Sequence, residues 1–205
     1  MKRPPVRELL RREGDPATPR QSASLILLRD GDRGPEVLLV RRNPAQRFMG
    51  GFWVFPGGAV DAGEDHRAAA VRELAEEAGV MNVEPEALVE YSRWITPELI
   101  EIRFDTRFFL ARAPAGARPR ADGEECLDVR WITPHGALDA YAGGDLALVF
   151  PTLRHLEELS ASASVDALLE HARGREIVAV LPRVVAGTDG EEARVLLPGE
   201  AGYDA

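Results

Sequence analysis

Three glutamates, Glu73, Glu76 and Glu77, stand at positions i, i+3 and i+4 of one short stretch. On a helix these offsets bring the side chains within about a 100° arc, so the three carboxylates can converge on one point. Convergence is costly in isolation: at ~6 Å and an effective dielectric of ~20, Coulomb's law gives roughly 3 kcal/mol of repulsion per pair before screening. A divalent cation turns that repulsion into ligation, and hard carboxylate oxygens suit Mg2+ or Mn2+. An acidic helix face is more often merely solvated. The preceding residues weigh against that bland reading here. Pro56-Gly57-Gly58 lets the backbone approach a metal or phosphate closely, and Glu64 and Arg72 are spaced to pair with each other and to orient Glu73.

These groups need a helix to position them, and the spacing predicts one over residues 66–78. Gly79 follows where a left-handed C-terminal residue is expected. Val71, Leu74, Ala75 and Ala78 would form its apolar stripe, opposite the glutamates.

From Gly58 to Val80 the chain resembles the Nudix box. That pattern is glycine, five residues, glutamate, seven residues, then arginine-glutamate-aliphatic-any-glutamate-glutamate-any-glycine-aliphatic. Gly58, Glu64, Arg72, Glu73, Leu74, Glu76, Glu77, Gly79 and Val80 fill every specified position. The seven fixed identities arise by chance on the order of 10⁻⁸ per start site. The resemblance implies an α/β (α+β) Nudix fold, with a mixed β-sheet in an α/β/α sandwich and additional C-terminal helices. It implies a metal-dependent hydrolase that uses water to cut a diphosphate linkage in a nucleoside-diphosphate derivative. The implied metal ligands are Glu73, Glu76, Glu77 and the carbonyl of Gly57. Glu76 is either a further ligand or the residue that orients the water, and Glu64 and Arg72 are supporting residues. For the general base, relatives use either a box glutamate or one from a distant loop. Glu124 and Glu125 are the loop candidates, with Glu125 preferred.

The run from Leu38 to Gly58 is similar to the motif that precedes the box in coenzyme A diphosphatases. Arg42, Arg47, Gly51 and residues 55–58 match, whereas Val40 and Asn43 replace a threonine and a serine or alanine. That likeness implies coenzyme A or an acyl-coenzyme A as substrate, with Arg42, Arg47 and Gly58 touching it. Arg41, Arg42 or Arg47 could clamp a phosphate through bidentate contacts. The alternatives in the same class are ADP-ribose, a nucleotide sugar or a nucleoside triphosphate. Nudix-like folds also host a prenyl-diphosphate isomerase and non-catalytic ligand-sensing or RNA-binding modules. The complete set of box carboxylates argues for hydrolysis. Trp53, Trp94 and Trp131 read as core or hinge residues, and the four histidines lack metal-ligand spacing.

Further from the box, strands are expected at 23–28, 37–41, 52–55, 88–95, 101–111 and 127–132, with a loop at 113–124. Helices are expected at 136–141, 151–159 and 165–172, then closing strands at 177–180 and 184–197, the second interrupted by a turn at 188–190. Residues 1–20 read as an arm, with a short helix at 6–12 as an option. Residues 21–205 read as one Nudix domain whose helical extension starts near 133. That extension has three open uses: to cover the substrate cleft, to form a homodimer interface or to complete the core.

A net charge of −9 argues against non-specific nucleic-acid binding, so a small-molecule partner is expected. It also means that an anionic substrate needs local arginines or a bound cation. No apolar run approaches the ~20 residues that span a bilayer. The single cysteine, Cys126, permits no intrachain disulfide and fits a reducing compartment. The cytoplasm, with no membrane partner, is the expected location.

Overall fold

The architecture, taken from a computed structural model, describes residues 15–185 and 194–203. The optional helix at 6–12 and the turn at 188–190 lie outside the described residues. Ten strands and four α-helices follow in the order β1 (Arg20–Gly31), β2 (Gly34–Arg42), β3 (Trp53–Val54), β4 (Gly57–Ala59), α1 (His66–Ala78), β5 (Val89–Ile95), β6 (Phe104–Arg112), β7 (Cys126–Ile132), α2 (Pro134–Ala142), α3 (Phe150–Leu159), α4 (Val165–Arg173), β8 (Ala179–Val180), β9 (Arg183–Val185) and β10 (Arg194–Leu196).

β1 is the spine of a mixed sheet. It runs parallel to β6 from Arg20 to Leu28 and antiparallel to β2 and β4, each along a different part of its length. β2 leaves β1 after Val37 and continues beside β3 and β7. The divergence brings the end of β2, the start of β7 and the short β4 under helix α1.

Residues alternate across the sheet, as the period of two requires. Leu25 and Leu27 of β1, Leu38 and Val40 of β2 and Phe109 of β6 pack in one buried cluster with Ala69, Ala70, Leu74 and Ala78 of α1. Their neighbours Ile26, Leu28, Val37, Leu39, Phe108 and Leu110 pack on the other side with Leu156, Leu159, Leu168 and Ala172 of α3 and α4. The expected α/β/α sandwich is thus observed, and α3 and α4 contribute side chains to its second core. Trp53 and Trp94 are buried there too, as core residues.

Three local expectations need correction. The apolar stripe of α1 is turned relative to the one expected. Ala69, Ala70, Leu74, Glu77 and Ala78 are buried, while Val71 and Ala75 are only half-buried. Glu77 stands about 60° from Leu74 around the helix, so a modest rotation takes it beneath the sheet edge. Its hydrogen bond from the Gly57 amide, 2.9 Å, holds the helix in that rotation. The second correction is at Gly57 and Gly58, which lie beyond the strand expected at 52–55 and yet form strand β4 against Ser24 and Ala23. A Cβ at Gly57 would lie 2.5 Å from the Ala23 carbonyl oxygen, so only glycine permits that approach. Finally, β9 and β10 form a separate two-stranded ribbon, whereas β8 adds to the main sheet beside β5.

The helix itself follows its sequence. Asp65 caps the start by accepting from the amides of Arg67 and Ala68, and Gly79 ends it at φ 63°. No helix among the described residues is long and apolar enough to cross a membrane.

Candidate active site

Arg72 is the hub of the box. Its Nε and Nη2 donate to the two oxygens of Glu64 at 3.1 and 3.0 Å, a bidentate pair. Its Nη1 donates to Glu73 and to Glu76, both at 2.9 Å, and Nη2 also donates to the Ala59 carbonyl. One guanidinium therefore ties the helix to the turn before it and offsets the repulsion among three carboxylates. The same contacts hold Glu64 below the usual carboxylate range and keep Arg72 charged.

The carboxylates differ sharply in exposure. The Glu76 side chain is 60% exposed, that of Glu73 12% and that of Glu77 3%. Burial pushes Glu73 up in pKa against the pull of Arg72, and the charges of Glu76 and Glu125 push the same way. Its carboxyl group lies directly over Gly58, where a Cβ would fall 2.3 Å from Oε1. Burial raises Glu77 further, to about 7, although the Gly57 amide and Arg42 favour its charged form.

Glu77 uses one oxygen and leaves the other bare. Oε2 accepts from Gly57, while the buried Oε1 accepts no hydrogen bond. Nη1 of Arg42 is 3.7 Å from Oε1, an ion pair too long to be a hydrogen bond. The buried Cys126 thiol is a further neighbour, and burial next to Glu77 pushes its pKa up. A sulfhydryl is a weak donor, and this one makes no bond of hydrogen-bonding geometry to Oε1. Leaving a buried acceptor unmet costs roughly 1–3 kcal/mol. Such a cost at a cluster of acids marks a functional position more often than a structural one.

Several expected residues meet here and one does not. Glu64, Arg72, Glu73, Glu76, Glu77, Gly57 and Gly58 form one connected group, and Arg42 reaches it from the end of β2. Glu125 sits in the turn before β7, which Asp122 shapes by accepting from the amides of Glu125 and Cys126. The Glu125 carbonyl accepts from the Asn43 amide, and Asn43 also donates to the Glu124 carbonyl, so the turn is fastened to the end of β2. Arg47, in contrast, pairs with Glu101 on the surface, and both side chains are more than half exposed. Cys126 was not singled out by its sequence, because nothing local shows that it lies opposite Arg42 in the β2–β7 ladder.

The NUDIX domain model matches residues 18–153, more than half of the 205-residue chain. The chain belongs to the Nudix family. It is 29% identical over 180 residues to a Caenorhabditis elegans protein named "Putative nudix hydrolase 7", a match covering 69% of this chain and 60% of that relative. It is 36% identical over 130 residues to the RNA pyrophosphohydrolase of Caulobacter vibrioides, covering 60% of this chain and 72% of that one. Among solved structures, a NUDIX hydrolase from Alicyclobacillus acidocaldarius superposes with a TM-score of 0.67 at 27% identity. It covers 75% of this chain and 96% of its own. The chain thus spans about 60% of the length of the worm relative.

Nudix hydrolases generally use divalent cations, and this Nudix site fits one. The donors are hard carboxylate oxygens, Glu77 Oε1 is buried without a hydrogen bond, and the Glu73 carboxylate occupies space that any side chain at Gly58 would fill. Among the described residues, no three acidic, imidazole or thiol groups are already gathered at ligating spacing. Arg72 occupies an oxygen of Glu73 and one of Glu76, and Arg42 lies against Glu77. Ligation would require these arginines to give up part of their contacts.

Proposed function

We propose that the chain is a pyrophosphohydrolase that cleaves the diphosphate of coenzyme A or an acyl-coenzyme A with the help of Mg2+ or Mn2+. The observation that carries the reaction class is the complete box: one arginine clamps Glu64, Glu73 and Glu76 while a glycine amide holds a buried Glu77. The substrate reading rests on the likeness of Arg42, Arg47, Gly51 and residues 55–58 to the coenzyme A diphosphatase motif.

In this reading Glu73, Glu76, Glu77 and the Gly57 carbonyl would hold the metal. When bound, it would polarise phosphoryl oxygens and lower the pKa of water. The protein's own groups do the rest. Arg72 fixes the angle at which Glu73 and Glu76 present their oxygens, with Glu64 bracing the guanidinium from the other side. The Gly57 amide fixes Glu77. Glu125, on its fastened turn, accepts the proton of the attacking water. A new phosphorus–oxygen bond forms, the bridging phosphorus–oxygen bond breaks, and two phosphomonoesters leave. In this reading Arg47, exposed on the loop after β2, would trade Glu101 for a phosphate of the substrate.

A second reading is favoured by the Caulobacter relative, whose name gives RNA as its substrate. A hydrolysis panel decides between them: coenzyme A, acyl-coenzyme A, ADP-ribose, a nucleotide sugar, nucleoside triphosphates and 5′-triphosphorylated RNA, each with and without Mg2+. Mass spectrometry in ¹⁸O-water identifies the products. Fastest cleavage of a coenzyme A substrate with one ¹⁸O entering a phosphate is the expected result. Cleavage of RNA or nucleoside triphosphates with coenzyme A left intact moves the assignment to the second reading. A panel left wholly intact removes the enzymatic reading.

A further inference from the structure

Arg42 occupies a place that the diphosphatase motif does not explain. It ends β2, pairs in the ladder with Cys126, and directs Nη1 at the one bare oxygen of Glu77. Its side chain is only 19% exposed, and Nε is buried without a hydrogen bond. Among the described residues it is the only cation paired with Glu77. A buried pair at 3.7 Å, with both partners incompletely satisfied, is a weak source of stability. It does provide positive charge beside Glu77, the box glutamate with which Arg72 makes no ion pair.

The same spot is where a divalent ion belongs in the reading above, on which this inference rests. An ion ligated by Oε1 would sit ~2.0–2.6 Å from it. An unmoved guanidinium would then lie within about 6 Å of that ion, like charge against like in a poorly solvated place. We propose that Arg42 is a positioning residue that stands in for the divalent cation at Glu77 and must yield to it, so that its charge weakens the hold of the site on metal. Arg42 keeps Glu77 paired in the metal-free protein and turns away from it as the ion enters. The displaced guanidinium is then available to an anionic substrate. Removing its charge tightens the hold on metal.

Calorimetric titration of the full chain with Mn2+ alone at pH 8 tests this without reference to turnover. Arg42→Gln should bind Mn2+ about tenfold more tightly than wild type, since the competing charge is gone. Arg42→Lys, which keeps a cation, should stay within about threefold of wild type, and Arg112→Gln, remote from the site, should match it. Phenylglyoxal labelling of the wild-type protein, read residue by residue by mass spectrometry, provides a check that needs no variant at position 42. Mn2+ should raise the labelling of Arg42 and leave that of Arg112 unchanged. Equal or weaker Mn2+ binding by Arg42→Gln, or Arg42 labelling that stays constant or falls when Mn2+ binds, overturns the proposal and leaves the metal site standing. A wild-type protein that binds no Mn2+ removes the metal site and this role together.

Discussion

The two faces of the central sheet each bury a titratable side chain, and the two are treated in opposite ways. Under α1, Glu77 meets a glycine amide, the Cys126 thiol and a guanidinium 3.7 Å away, and burial raises it to about 7. On the α3 face His155 is wholly buried, and burial lowers it to about 3. Its ring packs 4.4 Å from Phe108 and about 6 Å from Phe55, Tyr91 and Trp94, and Nε2 shares a 2.7 Å hydrogen bond with Ser92. Desolvation favours the neutral form in both cases. The surroundings make the difference. His155 is neutral, closed in by aromatic rings and serves packing. Glu77 stands among other carboxylates beside backbone that carries no side chain; each of the two residues keeps one buried atom without a hydrogen bond, Oε1 of Glu77 and Nδ1 of His155. An unmet valence alone does not make a working group; convergence with other carboxylates is what separates Glu77 from His155.

That contrast can be broken most directly at Glu77. If Glu77 holds the metal as proposed, Glu77→Gln should lower diphosphate hydrolysis on the order of 10³-fold, since the loss of a ligand would remove several kcal/mol of transition-state stabilisation. Its thermal midpoint should hold or rise, because a buried charge has gone. An unfolded variant, or one of near-normal activity, would undo the contrast. Gly58→Ala should follow with roughly a 10- to 100-fold loss of activity, because the new Cβ would collide with the Glu73 carboxylate. Circular dichroism and steady-state kinetics on the same preparation separate folding from function.

On the opposite face the pattern should reverse. His155→Ala should cost about 2–4 kcal/mol in a urea melt through the cavity it opens, while turnover of the folded fraction stays near wild type. The wild-type protein should also lose stability as pH falls from about 6.5 towards 3. The folded chain holds His155 neutral while the unfolded chain takes up a proton there, so the unfolded state gains as pH falls. In His155→Ala that part of the acid sensitivity should vanish, and its persistence would assign the effect to other groups.

The smallest expected effect concerns metal and pH together. The Glu77 pKa is higher in the folded state than in the unfolded one, so the stability linked to its protonation is present below about 4.5 and lost as pH rises through about 7. In the proposed reading Mn2+ would bind the ionised form. The midpoint gain from Mn2+ should therefore be larger at pH 8 than at pH 5.5, by a few degrees. Equal gains at both values would show that the cation does not compete with a proton at Glu77.

Much of this was readable from spacing. The offsets of Glu73, Glu76 and Glu77 and the position of Gly79 depend on local helical geometry, and they located α1 over residues 66–78; the Asp65 cap was not foreseen. The apolar runs at 25–28 and 37–40 likewise marked strands, and both of their faces are buried. Spacing along the chain could not report the rotation of α1 on the sheet, which sends Glu77 inward and leaves Val71 half-exposed. It also missed that Gly57 and Gly58 are strand residues, that Arg42 and Cys126 meet Glu77, and that His155 sits among four aromatic rings. Each of these is a contact between segments far apart in sequence.

The sequence by itself therefore determined which groups are present and which lie on one helical turn, because 3.6 residues per turn is a local property of the backbone. Only the tertiary structure decided how far each carboxylate is removed from water and which arginine answers it. Desolvation and ion pairing depend on what the rest of the chain packs against a residue, and neither is written in its neighbours along the chain.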